Sequence, residues 1–253
     1  MEITDIKVSY TILTHCETDS LKKLIEQIVK YKTTWDEIII VDDYSDNLET
    51  IKILGWAQDE IGAKVFRNKL GGDFAQQKNF ANAHCTNDYI FNIDADEMIP
   101  DFFMEHYKEI LFMNQEVEMY RVPRINTVEG ITLAHIERWH WQITSLPTEI
   151  RNVEMPVKGD EYQLLKAYNL ILNEDGNKIK YLQPMINFPD YQNRIYKRSD
   201  SIMWVGKVHE KVAGYKKYAS FSAEKNYCML HNKPIAKQEK QNTLYDNIVQ
   251  GKV

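Results

Sequence analysis

The sequence predicts an α/β protein in which a mixed, mainly parallel sheet is flanked by helices. Strand-like segments alternate with amphipathic helical segments over the N-terminal part of the chain, which is typical of right-handed β-α-β crossovers. The segment 37–41 (EIIIV) is continuously apolar, as are strands of a parallel sheet that are covered on both faces. Acidic residues follow two of the strands directly, at the edge where ligands of such sheets bind.

The N-terminal elements follow the order β-α-β-α-β-α-β. The first strand, 7–13 (KVSYTIL), is rich in β-branched and aromatic residues, and a polar turn follows it. The first helix has apolar residues at helical spacing from Leu21 to Val29, with Asp19 or Ser20 as its N-cap. The remaining elements are predicted as strands at 37–41, 63–67 and 89–93 and as helices at 48–61 and 74–83.

The composition is that of a globular protein with a sizeable core. Of the 253 residues, 43% are hydrophobic and 27% are charged, and a single core still forms at this chain length. We therefore expect one domain over 1–253, built from two halves at 1–121 and 186–253. Residues 126–185 are predicted to be an α-containing insertion between them, with a helix at 161–172; the second half is expected to contain a strand at 192–197 and a helix at 237–249.

Neither the hydropathy nor the start of the chain indicates a membrane span or a secretory signal. No apolar run approaches the ~18 residues that cross a bilayer, and acidic residues stand where a signal would be positively charged. Cys16, Cys85 and Cys228 are too scattered for a disulfide framework, so we expect reduced thiols. These features predict a cytoplasmic protein without an integral membrane segment, and they leave open a peripheral membrane contact and the oligomeric state.

The charge is distributed unevenly along the chain. The net charge of −6 argues against a protein that coats nucleic acid, but residues 194–240 contain eleven Lys and Arg against four Asp and Glu. This basic stretch suits an anionic partner, such as a nucleotide pyrophosphate, a phosphorylated lipid or a DNA backbone. A solvated, Lys-rich surface is the alternative interpretation.

Two acidic clusters follow predicted buried strands. Asp42 and Asp43 come after the second strand, and Asp94 and Asp96 form an Asp-x-Asp triplet after the fourth. Carboxylates one residue apart at a sheet edge share a divalent cation, or divide between the cation and a ribose hydroxyl. Oxygen ligands favour Mg²⁺ or Mn²⁺ over Zn²⁺. The alternative is that these acids cap the following helices.

A glycine pair precedes the third helix. Gly71 and Gly72 come just before it, and Lys78 lies in its second turn. Backbone amides at a helix start, together with a lysine, suit a pyrophosphate or the hydroxyls of a bound sugar nucleotide. A simple turn is the alternative.

An aromatic cluster, Trp139, His140 and Trp141, lies inside the predicted insertion. Because aromatic faces stack on sugars and on nucleobases, Trp139 and Trp141 are candidate acceptor-binding residues. Packing in the core is the alternative.

Together these features resemble the family 2 glycosyltransferases, which have the GT-A (Rossmann-like) fold and use nucleotide sugars as donors. The most specific similarity comes late in the chain. Residues 189–196 (PDYQNRIY) and 204–210 (WVGKVHE) are similar to PDxQxRLF and WxGxVHE, a pattern of enzymes that build lipopolysaccharide cores and related glycans. The resemblance covers 7 to about 121, which would be the nucleotide-sugar-binding half. It resumes at 188, in the acceptor and catalytic half, and leaves the insertion uncovered.

On the donor side, the resemblance implies that Thr14 contacts the base of a UDP-sugar and that Asp43 holds the base or the ribose. Asp94 is implied at the ribose, and Gly72 and Lys78 complete the candidate donor-binding set.

One position departs from the family pattern. Where the family often has an aromatic residue that stacks on the base, this chain has Cys16. Stacking would then come from His15 or Tyr44, which leaves the identity of the base open.

For catalysis, the resemblance implies a Mn²⁺ or Mg²⁺ ion bound by Asp96 and His231, and Glu210 as the carboxylate that activates the acceptor. The remaining motif residues are candidate contacts of the acceptor: Gln192, Arg194, Trp204 and His209.

The activity implied is a metal-dependent, inverting transfer of a sugar from a nucleotide-diphosphate donor to a hydroxyl of a glycan or lipid-linked saccharide. One alternative acceptor is a hydroxylated DNA base, as in virus-encoded enzymes. A nucleotidyltransferase is a second alternative, although it would show a Gly-rich basic loop where residues 14–17 read THCE. A non-catalytic nucleotide-binding module is the third.

Overall fold

The structure, a computed structural model, describes residues 6–154, 159–176 and 178–252. The chain divides into two compact units. Unit 1 comprises Met1–Pro123, Tyr191–Met229 and Thr243–Val253, and unit 2 comprises Arg124–Asp190 and Leu230–Asn242. The predicted insertion at 126–185 lies within unit 2, and the prediction that the chain acts as one domain stays a prediction.

The N-terminal part of unit 1 alternates strands with helices, as predicted. The strands are β1 (Val8–Thr14), β2 (Glu37–Asp42), β3 (Lys64–Arg67), β4 (Tyr89–Asp94) and the short β5 (Glu97–Met98). The helices are α1 (Asp19–Tyr31), α2 (Leu48–Asp59), α3 (Phe74–Ala83) and α4 (Asp101–Met113). The sequence analysis did not predict α4, which follows the acidic turn after β4.

The rest of the chain is mainly strand. Its elements are β6 (Met119–Glu129), α5 (Leu133–Trp139), β7 (Ile143–Thr144), β8 (Ile150–Glu154), α6 (Asp160–Ala167), β9 (Ile171–Asp175), β10 (Lys178–Leu182), β11 (Met185–Lys197), β12 (Met203–Val205), β13 (Lys211–Ala213), β14 (Tyr218–Ser220), β15 (Met229–Pro234) and α7 (Ile235–Val249). A single 3₁₀ turn, Lys225–Tyr227, precedes β15.

The sheet of unit 1 is mixed and mainly parallel, which confirms the predicted fold class. Its strands run in the order β3-β2-β1-β4-β11-β6. The pairs β1–β2, β2–β3 and β1–β4 are parallel, whereas β11 is antiparallel to β4. In the two registers of β1, Thr14 pairs with Asp42 and Leu13 pairs with Asp94, so the carboxyl ends of β1, β2 and β4 reach the same edge.

Helix α1 shows how the apolar pattern places a helix on the sheet. Leu21, Leu24, Ile25 and Ile28 lie at successive helical spacings and are completely buried, because they form one stripe that faces the apolar side chains of β1 and β4. Burying a leucine or isoleucine side chain stabilises the fold by about 1.5–3 kcal/mol. The N-cap of α1 is Thr18, so the predicted N-cap, Asp19 or Ser20, is wrong: both residues lie in the first turn of the helix.

The predicted helix at 161–172 is wrong in its extent. Helix α6 ends at Ala167, and β9 begins at Ile171. Asn169 takes a left-handed conformation with φ of 53°, and the amide of Leu170 donates to the carbonyl of Leu165. Such a residue after the last turn ends a helix, and asparagine tolerates it better than most residues.

Unit 2 also contains a sheet that the sequence analysis did not predict. Strands β8, β10 and β9 form an antiparallel sheet in that order, in addition to helices α5 and α6. Leu164, Leu165, Ile179 and Tyr181 are buried in the core of this unit. The predicted α-containing insertion is therefore an α and β segment.

Two further expectations concern thiols and membrane spans. Cys16, Cys85 and Cys228 are free thiols, as predicted. Within the described ranges, none of the helices has the length and hydropathy that a bilayer crossing requires.

Candidate active site

The carboxyl ends of the parallel strands bring the predicted acidic clusters to one edge of unit 1. The amide of Asp43 donates to the carbonyl of Thr14 over 2.9 Å, and the amide of Ala95 donates to the carbonyl of Leu13 over 3.2 Å. These bonds continue the β1–β2 and β1–β4 pairings just past the strand ends. Both clusters were predicted at strand ends, and the structure places them on either side of the carboxyl end of β1.

Asp94 is the most strongly perturbed carboxylate at this edge. Its Oδ2 accepts a hydrogen bond from the guanidinium of Arg194 at 2.8 Å, and its Oδ1 lies 3.8 Å from the ammonium of Lys78. Burial by itself would raise the pKa of the Asp94 carboxyl, but the charges of Arg194 and Lys78 outweigh burial and hold the pKa well below its usual range. Asp94 is therefore a carboxylate throughout the neutral range.

Arg194 is a completely buried cation between two carboxylates. It is 1% exposed, and its NH2 group donates to Glu97, which is 0% exposed, as well as to Asp94. Burial disfavours its charge, yet the two carboxylates raise the pKa of the guanidinium above its already high value. The predicted contact of Arg194 with the acceptor stays a prediction, and the described bonds of its NH2 group go to Asp94 and Glu97.

Lys78 joins Asp94 to the predicted base. Its ammonium group lies 2.6 Å from Oε1 of Glu210 and 4.1 Å from the centre of the Trp204 ring. Lys78 is 3% exposed although it carries a charge, so its carboxylate partners and the aromatic face supply the stabilisation that water would otherwise give. Lys78 and Glu210, both predicted site residues, thus form a direct ion pair.

Helix α3 positions the segment that carries Glu210. The side chain of Asn79 donates to the carbonyl of Trp204 and accepts from its amide, each at 2.9 Å. The amide of Phe74 donates to the carbonyl of Lys207 at 2.9 Å. These bonds attach the WVGKVHE segment to the same helix that supplies Lys78.

Trp204 and His209 differ in exposure. Trp204 is 4% exposed and its Nε1 donates to the hydroxyl of Tyr196 at 2.7 Å, so Trp204 packs in the core and supports Lys78. His209 is exposed, has a φ of 52° and lies edge-on to Tyr245 at 5.5 Å. The exposed His209 is accessible to a ligand, whereas Trp204 presents little surface to one.

The glycine turn before α3 is attached to Asp43. The carboxylate of Asp43 accepts from the amide of Leu70 at 2.9 Å, so this acid organises the loop instead of capping the next helix. Gly71 and Gly72 have φ of 56° and 73°, a left-handed geometry that side chains with a Cβ rarely adopt. Capping of α2 and α3 falls to Asn47 and Asp73.

The residues around Asp43 bear on base recognition. Nδ1 of the exposed His15 lies 2.8 Å from the carbonyl of Asp43. Tyr44 is 55% exposed, has a φ of 49° and lies beneath the guanidinium of Arg67 at 5.4 Å. Thr14 is 5% exposed, and its Oγ1 makes no hydrogen bond to any residue that the structure describes. A buried hydroxyl without a partner is costly, which makes Thr14 a candidate donor contact.

Asp96 lies in the turn between β4 and β5 and is half-buried. Among the residues that the structure describes, no group of three or more His, Cys, Asp and Glu side chains could hold a metal ion. The oxygen chemistry of Asp94 and Asp96 fits Mg²⁺ or Mn²⁺, and a cation there would need phosphate or water oxygens to complete its coordination.

His231 belongs to a polar network in unit 2. It is 5% exposed, and its Nδ1 lies 2.8 Å from Oδ1 of Asn126. The Nδ2 of Asn126 donates to Asp190 at 2.8 Å, and Arg124 forms an ion pair with the same carboxylate oxygen at 2.7 Å. Asn126 therefore orients the imidazole, since its amide nitrogen is already engaged with Asp190.

Two of the three residues of the predicted aromatic cluster, Trp139 and Trp141, are in contact, whereas the third, His140, is exposed. The rings of Trp139 and Trp141 lie 4.6 Å apart, and the ring of His135 stacks on Trp139 at 5.2 Å. Both tryptophans are half-buried, and Trp141 packs against the core of unit 2. Gln192, the remaining predicted acceptor contact, is half-buried in unit 1.

Glu97 and Asn92 were not predicted as site residues. Oε2 of Glu97 accepts from the amide of Asp94 at 3.0 Å, and Oδ1 of Asn92 accepts from Arg194 at 3.2 Å. The sequence held a signal for Glu97, because this acid directly follows Asp96. Asn92 could have been found from strand alternation, since it lies on the same face of β4 as Asp94.

The family assignment follows from a direct comparison of the chain with known families. Residues 9–175, more than half of the chain, match the model of glycosyl transferase family 2. The chain belongs to glycosyl transferase family 2. The match runs past residue 121, where the resemblance was expected to stop, and it does not include the PDYQNRIY and WVGKVHE segments. The lipopolysaccharide-core subtype therefore stays a prediction.

Relatives and solved structures agree with this family 2 assignment. The chain is 32% identical over 124 residues to an uncharacterised glycosyltransferase of Rickettsia bellii, which covers 49% of this chain and 39% of the relative. A second uncharacterised glycosyltransferase, of Rickettsia felis, is 32% identical over 119 residues, or 47% of this chain and 38% of the relative. The chain thus matches about two fifths of the length of these curated relatives.

The fold of this family 2 member is shared with a solved structure of S. aureus TarS. The structure of S. aureus TarS 1–349 in complex with UDP-GlcNAc superposes with a TM-score of 0.53 at 15% identity, over 89% of this chain and 58% of TarS 1–349. At this identity the likeness concerns the fold, which agrees with the predicted GT-A architecture.

Proposed function

We propose that the chain catalyses transfer of a sugar from a nucleotide-diphosphate donor to an acceptor hydroxyl, with inversion at the anomeric carbon. The observation that carries the proposal is the cluster at the sheet edge, where the charged side chains of Asp94, Lys78 and Glu210 are in contact in a member of glycosyl transferase family 2. Membership of this family favours glycosyl transfer over nucleotidyl transfer.

The donor is proposed to bind along the carboxyl ends of β1, β2 and β4. Thr14 and Asp43 would contact the base and ribose, and Asp94 would contact the ribose. Gly72 and Lys78 would lie near the diphosphate, to which the ammonium group offers a compensating charge. S. aureus TarS, which shares the fold, is complexed with UDP-GlcNAc, and we propose a UDP-sugar here as well.

Mn²⁺ or Mg²⁺ is the proposed cofactor, with Asp96 as its protein ligand in unit 1. When bound, such an ion would neutralise charge on the departing nucleoside diphosphate. The half-buried carboxylate of Asp96 has the ligand chemistry for this role, and the His231 ligand that the resemblance implies stays a prediction.

Glu210 is the proposed base. Its carboxylate would accept the proton of the acceptor hydroxyl while the hydroxyl oxygen attacks the anomeric carbon. The bond between that carbon and the diphosphate oxygen breaks in the same step, and its electron pair leaves with the nucleoside diphosphate. A single displacement from the opposite face inverts the configuration. Lys78 holds the Glu210 side chain in place through the 2.6 Å ion pair.

The acceptor is proposed to be a saccharide or a lipid-linked saccharide. In unit 2, Trp139 and Trp141 would stack on sugar rings. In unit 1, taken by itself, Gln192 and His209 offer polar groups to an acceptor. Arg194 and Trp204, which the sequence analysis assigned to the acceptor, are buried and are proposed to support the site instead.

A thermal-shift screen of UDP-, GDP-, ADP- and dTDP-sugars with and without Mn²⁺ tests the proposal, because a bound donor raises the melting temperature according to its affinity. We expect a Mn²⁺-dependent rise with one class of nucleotide sugar, followed by release of the nucleoside diphosphate on incubation. A chain that none of these donors stabilises, and that hydrolyses none of them, would contradict the proposal.

A further inference from the structure

The guanidinium of Arg194 donates hydrogen bonds to three side chains near the end of β4. One amino group, NH2, donates to both Asp94 and Glu97, and the other, NH1, donates to Asn92 at 3.2 Å. All four residues lie in unit 1, on β4, on β5 or on β11. A single guanidinium thus holds three side chains that flank the end of one strand.

Glu97 extends this arrangement to the backbone. One oxygen of its carboxylate accepts from Arg194, and the other accepts from the amide of Asp94 at 3.0 Å. Asp94 is therefore restrained twice, at its carboxylate by Arg194 and at its amide by Glu97. Because Glu97 is completely buried, it depends on Arg194 for its counter-charge.

The geometry points to Arg194 as a positioning residue for the donor site: it fixes the orientation of the Asp94 carboxylate directly, and that of the Asp94 backbone through Glu97. The inference rests on the proposed function, in which Asp94 contacts the ribose of the donor. Arg194 itself touches no substrate. Its planar fork of donors, which lysine lacks, is what allows one side chain to hold two carboxylates and an amide oxygen in fixed directions.

A merely structural role would have a different signature, and unit 1 contains a suitable comparison. Lys108 forms a buried ion pair with Asp36 at 2.6 Å, with 12% and 0% of the two side chains exposed. Asp36 also accepts from the amide of Val8, at the start of β1, which is the end of that strand away from Thr14. Loss of Lys108 should therefore lower stability without altering donor binding.

The experiment compares wild type with R194K, the double variant R194M/E97Q and the control K108M. R194K keeps the charge but loses the fork, and the double variant removes the cation together with the Glu97 charge. Binding of UDP in the presence of Mn²⁺ is measured by calorimetry at 10 °C, beside the melting temperature of each chain. Where an acceptor is known, KM for donor and for acceptor are measured as well.

We expect R194K and the double variant to bind UDP about tenfold more weakly than wild type, which is what one charged hydrogen bond is worth. KM should rise for the donor and not for the acceptor. R194K should retain more affinity for UDP than the double variant. K108M should bind UDP within about twofold of wild type, even if its melting temperature falls as much as those of the Arg194 variants.

Binding of UDP by both Arg194 variants within about twofold of wild type would overturn the inference. So would failure of both to fold at 10 °C, because Arg194 would then belong to the core. If wild type binds no UDP, both the proposed UDP-sugar donor and the inference are contradicted. If wild type binds UDP and both Arg194 variants bind it equally well, only the inference is contradicted.

Discussion

The ammonium group of Lys78 lies 2.6 Å from Oε1 of Glu210 and 3.8 Å from Oδ1 of Asp94. One cation therefore contacts both the carboxylate proposed to activate the acceptor and the carboxylate proposed to hold the donor. Because Lys78 is buried against Trp204, it cannot move to solvent without breaking its ion pairs with both carboxylates. This relationship makes Lys78 central to the proposed reaction as well as to the local structure.

The first prediction concerns Lys78. K78M removes the counter-ion of Glu210 and of Asp94 while it keeps the bulk of the side chain, and breaking such a buried pair costs about 3–5 kcal/mol. We expect turnover to fall at least about 100-fold, because the base loses its fixed position. Initial rates and circular dichroism on the same sample measure this. The control is K30M, which removes an exposed ion pair with Asp101; turnover of K78M equal to that of K30M would refute the role.

The second prediction concerns Glu210. E210Q preserves shape but cannot accept a proton, so kcat should fall by about 100-fold or more. Donor binding should stay within about twofold of wild type, since Glu210 is proposed to act on the acceptor. Steady-state kinetics and calorimetry with the donor separate the two quantities. E105Q, at an exposed position on α4, serves as the control. If E210Q turns over like wild type, another group is the base.

The third prediction concerns the cation. D96N replaces a charged oxygen ligand by an amide, and we expect Mn²⁺ to enhance donor binding in wild type but not in this variant. A Mn²⁺ titration at fixed nucleotide sugar, read by thermal shift, is the measurement. The matched variant D59N changes an exposed carboxylate at the end of α2. Equal Mn²⁺ dependence in D96N and wild type would remove Asp96 from the metal site.

The fourth prediction concerns stability and pH. Burial alone would raise the pKa of Glu37, but hydrogen bonds from Lys64, Ser9 and Thr86 lower it from 4.5 to about 2. The stabilisation from this lowered pKa is complete above about pH 4.5 and is lost as the pH falls towards 2.

E37Q should therefore reduce the free energy of unfolding by about 1–2 kcal/mol at pH 7, with little further loss from Glu37 between pH 4.5 and 2. Urea denaturation at pH 7, 4 and 3 measures the difference. E105Q again provides the baseline for an exposed glutamate. A difference between E37Q and wild type that does not shrink as the pH falls would show that the charge of Glu37 contributes little.

The fifth prediction concerns the aromatic pair of unit 2. W139A and W141A should each raise KM for a saccharide acceptor about tenfold, because stacking on an aromatic ring is worth about 1–3 kcal/mol. The control W35A changes a tryptophan that is 64% exposed in unit 1. Lower stability with unchanged acceptor KM would assign the pair to the core. If wild type binds duplex DNA in a salt-dependent way and these variants do not, the DNA-base acceptor is favoured instead.

Much of the N-terminal fold could be predicted because its signals are local. The apolar period of α1, the continuous apolar run of β2 and the glycine turn before α3 each involve neighbouring residues, and α3 spans the predicted 74–83. The insertion was less predictable. Helix α6 ends at Ala167, just before the left-handed Asn169, and the strands β8, β9 and β10 are short and mostly polar at the surface. Neither feature gives a strong period of apolar residues in the sequence.

The candidate site divides in the same way. Residue order alone shows that carboxylates stand at the ends of buried strands and that Glu210 closes a recognisable motif. These signals are local, because hydrophobic period and turn chemistry act between neighbours. The partners of those carboxylates cannot be read from residue order, because Arg194 is 100 residues from Asp94 and 97 from Glu97. Only packing against the sheet brings these residues together, and a buried charge is stable only where the tertiary structure supplies its counter-charge.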